Sequence, residues 1–294
     1  VSIPATHDRG EIERPSILRL DVREDVTRHV VLQSTRATPE DAFYVELRDK
    51  VESAERSEVF VFVHGYNVTF DGAARRTAQI AFDVKFAGAP IFFSWPSQSD
   101  LFGYEIDSNN SELASFHLAV FLRDIRAYSD AETVYLLAHS MGGRVLTRAL
   151  QLLDEGEIGQ GGNPFKTIIL AAPDIDAELF RSVIAPAVVG GGADLTLYAS
   201  ENDLALKASK RINGYPRAGD SSDGIIIHPA MTTVDVSKAD LSDLGKTPQL
   251  GLSYYGDNEI VIRVIRQVLF GVPPEQRLLM DKNGYWSLLP KEPI

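Results

Sequence analysis

The sequence predicts an α/β fold, a mostly parallel sheet with helices on both faces, and three observations carry that expectation. Short apolar runs recur at Glu58–Val63 (EVFVFV), Pro90–Trp95 (PIFFSW), Val134–Leu137 (VYLL), Thr167–Ala171 (TIILA) and Leu195–Ala199 (LTLYA). Runs this continuous suit strands buried on both faces rather than one. Amphipathic segments separate them, the pattern of right-handed crossovers in a doubly wound sheet. The third observation is the junction Thr133–Leu150, TVYLLAHSMGGRVLTRAL, where a strand runs through a turn of small residues straight into a helix with Val145, Leu146, Ala149 and Leu150 at helical spacing.

Taken in order, Val1–Pro15 carries turn formers and charges, and Ile3-Pro4 reads as the end of a strand that begins before Val1. Glu24–Gln33 (EDVTRHVVLQ) alternates as an edge strand would, which leaves His29 as a surface or edge residue. Pro39–Val51 is expected to be helical. Glu58–Val63 ends in His64-Gly65-Tyr66-Asn67, where glycine permits a sharp turn. Phe70–Lys85 is an amphipathic helix with Asp71 as its N-cap. After Pro90–Trp95 comes a long connection, Ser97–Asn110, and then a helix over Ser111–Ala127 with His117 partly buried.

Beyond the junction, Gly156–Asn163 reads as a glycine-bearing link. The strand Thr167–Ala171 leads to Ala172-Pro173-Asp174-Ile175-Asp176 and a helix ending near Gly190–Gly192. Leu195–Ala199 leads to Glu201-Asn202-Asp203, and TTVDV is a later strand-like run. Asp257 or Asn258 caps a closing helix, Glu259–Phe270, which Gly271, Pro273 and Pro274 end. The tail, with Tyr285, Trp286, Leu288 and Leu289, is expected to pack back onto the body. No linker divides the chain, so residues 1–294 are read as one domain.

The junction also carries chemistry. Ala138, Ser140 and Gly142 form G-x-S-x-G with alanine at the first glycine position, and strand, turn and helix are the context a nucleophile elbow requires. The expectation is therefore an α/β-hydrolase fold with Ser140 as nucleophile. The Met141 N–H at a helix N-terminus is one oxyanion donor, and the Tyr66 N–H, on the loop after the early strand, is the second. Chain order in such enzymes is nucleophile, acid, histidine, which favours Asp203 as the acid over its competitors Asp174 and Asp176. His64, directly before a glycine, is read as a loop-fixing histidine rather than the catalytic base. Tyr104 and Asp107, on the long connection, are candidates to line the pocket, and a loop packed by its own aromatics explains Tyr104 equally well.

Composition narrows the alternatives. A formal net charge of −12 and no clustered Lys and Arg argue against a nucleic-acid partner. With no cysteine, disulfides, thiolate metal sites and a cysteine nucleophile are excluded. No H-E-x-x-H spacing points to a metallohydrolase, and no stretch has the length of a transmembrane helix. The chain opens on Val1 rather than Met, consistent with a removed leader, and its compartment stays open between cytoplasm and export.

The segments VFVHGYNVTFDGAARRTAQIAFD, LLAHSMGGR, LAAPDID, LYASENDLAL and LGLSYYGDN, in this order, resemble the bacterial α/β-hydrolase group DUF900, which is esterase/lipase-like, from about Val59 to Asn258. The resemblance implies a serine carboxylic-ester hydrolase, small-molecule or lipid-like ester substrates, no cofactor, and often an export or lipoprotein leader. One position departs from it. The group's last motif reads G-H-S-Y, with its histidine as base, whereas this chain has Gly251-Leu252-Ser253-Tyr254. Leucine cannot accept a proton, and an unactivated serine is a weak nucleophile. Three explanations follow: His228, the one other histidine after Asp203, stands in; Leu252 is a natural loss that leaves a ligand-binding or scaffold protein; or Leu252 is an introduced change.

Overall fold

The apolar runs become strands of one sheet because helices cover both of its faces. The computed structural model describes residues 1–15, 23–98, 103–153, 165–239 and 254–289. The expected strands are β1 (Glu58–Val63), β2 (Ala89–Phe93), β3 (Thr133–His139), β4 (Thr167–Ala171), β5 (Asp194–Ala199) and β6 (Met231–Asp235), and the tail adds β7 (Leu279–Asp281) and β8 (Trp286–Leu288). Their order is β2-β1-β3-β4-β5-β6-β8-β7, parallel throughout except between β7 and β8. This is the α/β-hydrolase architecture the junction predicts.

The helices follow the alternation: α1 (Glu40–Glu52), α2 (Phe70–Asp83), α3 (Tyr104–Tyr128) and α4 (Met141–Leu152). Next comes α5, a helical run in three parts, Ala177–Leu179, a π-turn Phe180–Ile184 and Ala185–Gly190, then α6 (Leu204–Asn213), the short α7 (Tyr254–Asp257) and α8 (Glu259–Leu269). The pleat divides the strand residues between two cores. Val59, Val61 and Val63 of β1 pack with α1, α3, α4 and α5, and Phe60 and Phe62 pack with α2 and α8. In α8, EIVIRVIRQVL is rich in β-branched residues that favour strands, yet it is helical. Six of its apolar side chains are buried, at roughly 1.5–3 kcal/mol each, which outweighs propensity losses of a few tenths per residue. Asn258, of the two expected caps, accepts the N–H groups of Ile260 and Val261.

Several local expectations are corrected. Glu24–Gln33 is not a strand: Asp25 folds the segment into a turn, accepting from Thr27 N–H, and a single bridge joins Ser2 and Val31. Buried Arg75 takes the Val30 carbonyl and pairs with Glu24, removing an acceptor that a ladder would need. His29 is therefore buried, its Nδ1 accepting from the Asp25 N–H, rather than on an edge. The N-cap of α2 is Thr69, bonded to Gly72 N–H, while Asp71 pairs with Arg75. Helix α3 begins at Tyr104, within the expected connection, and His117 on it is exposed. The link Gly156–Asn163 lies outside the described residues.

The N-terminal segment is held by charge. His7 lies between Glu13, 2.9 Å from Nδ1, and Asp83, 3.0 Å from Nε2. Burial pulls its pKa down, but the hydrogen bonds and charges of Asp83 and Glu13 outweigh it and raise the pKa above 6.5. Protonated His7 thus stabilises the fold fully below pH 6.5, and the contribution is lost as pH rises through the raised value. Urea midpoints measured across the neutral range are expected to fall with pH in the wild type and to show a smaller fall in His7→Gln.

Candidate active site

The chain goes from β1 to β2 on one side, then crosses back to β3 on the other, so the carboxyl ends of β1 and β3 border a crevice at a topological switch point. The register pairs Val63 with Ala138, which sets His64-Gly65-Tyr66 beside His139-Ser140-Met141. Glycine is needed for the two turns to approach. A Cβ on Gly65 would lie 2.9 Å from both His139 Nδ1 and Ser140 Cβ, and one on Gly142 would lie 2.4 Å from the His64 carbonyl oxygen.

Ser140 has φ 51° and ψ −124°, a conformation that costs a non-glycine residue roughly 1–3 kcal/mol. Its backbone is fixed from three directions: its N–H donates to Ala171 O at 3.0 Å, and its carbonyl accepts from Gly143 N–H at 2.9 Å and Asp174 N–H at 3.1 Å. Among the described residues its hydroxyl has no hydrogen-bond partner, and the residue is 8% exposed. Met141 opens α4, so its N–H belongs to the first turn, where amides lack helical acceptors.

Both flanking histidines are accounted for structurally. His64 Nε2 accepts the Trp95 N–H at 3.1 Å, so Nδ1 carries the proton and donates to Gly65 O at 2.9 Å. The ring stacks on Trp95 (5.3 Å, 7°), whose indole N–H donates to His64 O at 2.7 Å, and burial lowers its pKa. His139 stacks on Tyr255 of α7 at 4.2 Å. Burial, followed by the charges of Arg76 and His64, pushes its pKa down to about 3.

Asp203 follows β5 at the same sheet edge as Ser140, two strands away, about 10 Å at ordinary strand spacing. It is buried and caps α6 through Leu206 N–H at 2.9 Å, where the helix N-terminus favours a negative charge. The competing carboxylates are differently engaged. Asp176 caps α5 at Leu179 N–H, and Asp174 is buried between Arg217 (2.7 Å) and Arg144 (3.2 Å). Burial pushes the Asp174 carboxyl up, but the two guanidiniums and the Ser209 and Tyr104 hydroxyls outweigh it and hold it below the usual carboxylate range.

Tyr104 belongs to this cluster, its hydroxyl meeting Asp174, Ser209, Arg144 and Asn213, while its ring meets Tyr66 edge-on at 5.7 Å. Asp107 is 0% exposed. It accepts from Ser97 Oγ at 2.6 Å and Gln98 N–H at 2.7 Å, and Ser97 Oγ in turn accepts the Asn67 N–H, so Asp107 braces the loop carrying Tyr66. His228 precedes β6 and lies at the opposite, amino-terminal edge of the parallel sheet, so the fold does not bring it to Ser140. Leu252 lies outside the described residues. Arg217 gives no sequence signal for its place here, whereas Arg144 is a charge in the first turns of the elbow helix, four residues past Ser140, which is a sequence signal for this cluster.

Among the described residues no group of three His, Asp or Glu side chains is placed to hold a metal ion, and no helix is long and apolar enough to cross a membrane. No curated protein matches the sequence. Among solved structures, the chain is similar to lipase B of Aspergillus fumigatus at 15% identity, with 81% of this chain and 59% of that one covered and a TM-score of 0.42. This chain thus spans less than two thirds of that lipase. It is similar to a predicted CIB-like hydrolase of Thermoplasma acidophilum at 15% identity (74% and 88% covered, TM-score 0.36) and to the esterase Pf2001 of Pyrococcus furiosus at 11% (70% and 84%, 0.36). The family described as alpha/beta hydrolase of unknown function (DUF900) matches residues 39–268, most of the chain and all of the strands that border the crevice, and this protein belongs to that family.

Proposed function

We propose that this protein is a serine hydrolase of carboxylic esters, acting through an acyl-enzyme on Ser140. The observation that carries the reading is the strained Ser140 backbone at the start of α4, facing the crevice between β1 and β3 with two glycines making the approach possible. Ser140 Oγ attacks the ester carbonyl, the Tyr66 and Met141 N–H groups hold the oxyanion, and water then clears the acyl group. Asp203 is the acid that would orient a histidine at position 252; this chain has Leu252 there, so the Ser140 proton leaves to water and the attack is slow.

Leucine at position 252 supports a second reading, a silenced hydrolase that binds a ligand or a partner in the same crevice. Loss of one triad member still leaves roughly 10³- to 10⁴-fold catalysis over water, so the two readings differ measurably. A fluorophosphonate is expected to label the wild type slowly and Ser140→Ala not at all. No labelling of the wild type, at a dose that labels a reference esterase, favours the silenced reading.

A further inference from the structure

A cleft of about 570 Å³ opens beside α3, α4 and α5, and its lining does not include Ser140. One end is cationic. Arg144 and Arg217 both line it and share a single carboxylate, Asp174, behind its wall. Two guanidiniums share this carboxylate although the chain as a whole is strongly acidic; Asp176 is bridged to Arg217 through the backbone, but its carboxylate caps Leu179 N–H. The Arg217 side chain is 5% exposed. Its Nε donates to Asp174 Oδ1 and its Nη2 to Asp174 O, while among the described residues Nη1 has no acceptor. Arg217 borders the cleft with that donor still open to solvent, so an anionic group there can take it as a charge-assisted hydrogen bond.

The rest of the cleft sets the ligand's shape. Phe116, Ile175, Leu179 and Ile184 line it as an apolar surface. Two carboxylates line it as well: Asp176 is turned to cap Leu179 N–H, and Glu112 lies on an exposed position of α3. We propose that this cleft binds an amphiphilic anion, its carboxylate seated on Arg217 and Arg144 and its hydrocarbon body lying against the apolar wall. The guanidinium fork matches a carboxylate, and the volume falls in the range of small-molecule sites. The proposal stands on the cleft alone and holds whether or not Ser140 is a nucleophile.

The test is titration calorimetry with octanoate on the Ser140→Ala protein, so that no turnover contributes. One saturable site is expected, with octan-1-ol binding at least about tenfold more weakly, the loss that follows when a charge-assisted bond is forgone. Arg217→Gln is expected to weaken octanoate by about tenfold or more. Because that change also strips a partner from buried Asp174, Leu179→Glu is the second variant. It alters a residue that is 49% exposed, leaves the cluster intact, and is expected to repel octanoate to a similar degree. Equal binding of octanoate and octanol, wild-type affinity in folded Leu179→Glu, or no saturable binding would each overturn the proposal.

Discussion

Replacing Leu252 with histidine is expected to raise ester hydrolysis roughly 10⁴- to 10⁶-fold, the range spanned when a triad partner is removed from known serine hydrolases. A serine hydroxyl is almost wholly protonated at neutral pH and needs a neighbouring base to attack a carbonyl at a useful rate. Position 252 follows β6, the strand after the one that leads to Asp203, so a base there completes the order nucleophile, acid, histidine. Hydrolysis of a short p-nitrophenyl ester measures the gain. Adding Asp203→Asn to the Leu252→His protein should remove about 10⁴ of it by leaving the imidazole in the wrong tautomer. His228→Ala should change little, given its place at the other edge of the sheet. If Leu252→His is no more active than the wild type while Ser140 still takes the fluorophosphonate, position 252 is not where the base belongs.

The parts of this arrangement that could be read from sequence are those governed by local rules. A doubly buried strand needs continuous apolar residues, and an elbow needs small ones two positions either side of its serine, so β1, β3, β4 and β5 and the turn at Ser140 stand out in EVFVFV, VYLL, TIILA, LTLYA and AHSMG. What escaped depends on partners distant in sequence. The segment at Glu24–Gln33 alternates like a strand, but its fate is decided by Arg75, more than forty residues on, which captures the Val30 carbonyl. Asp107 looks like a loop residue until α3 is seen to begin at Tyr104, after which its buried carboxylate serves Ser97 and Gln98. The tail shows no long apolar run, yet Trp286–Leu288 joins the sheet because β6 presents a free edge for it to pair with. The Asp174 cluster draws Arg144, Ser209 and Arg217 from three separate segments, and no spacing rule links them.

Two neighbouring glycines in the elbow helix are expected to respond very differently to alanine. A Cβ on Gly142 would sit 2.4 Å from His64 O and 2.5 Å from Val63 O, closer than Cβ atoms come to non-bonded atoms. Both oxygens are backbone, on the strand end and loop that pair with β3, so relief requires pulling α4 off the sheet or breaking the β1–β3 ladder. Gly142→Ala should therefore destabilise by about 3 kcal/mol or more, a cost seen when overpacking meets atoms that cannot yield. For a chain of this size that corresponds to a fall in Tm on the order of 10 °C. At Gly143 the nearest atom is the Pro173 side chain at 3.0 Å, which can shift by a few tenths of an ångström. Alanine there also gains up to about 1 kcal/mol of helix propensity, so Gly143→Ala should be close to neutral. Thermal unfolding of the two variants separates a general intolerance of the helix from a specific one. Equal stability of both would mean that α4 does not approach β1 as closely as the elbow requires, and the backbone of Ser140 would lose the constraint that keeps it strained.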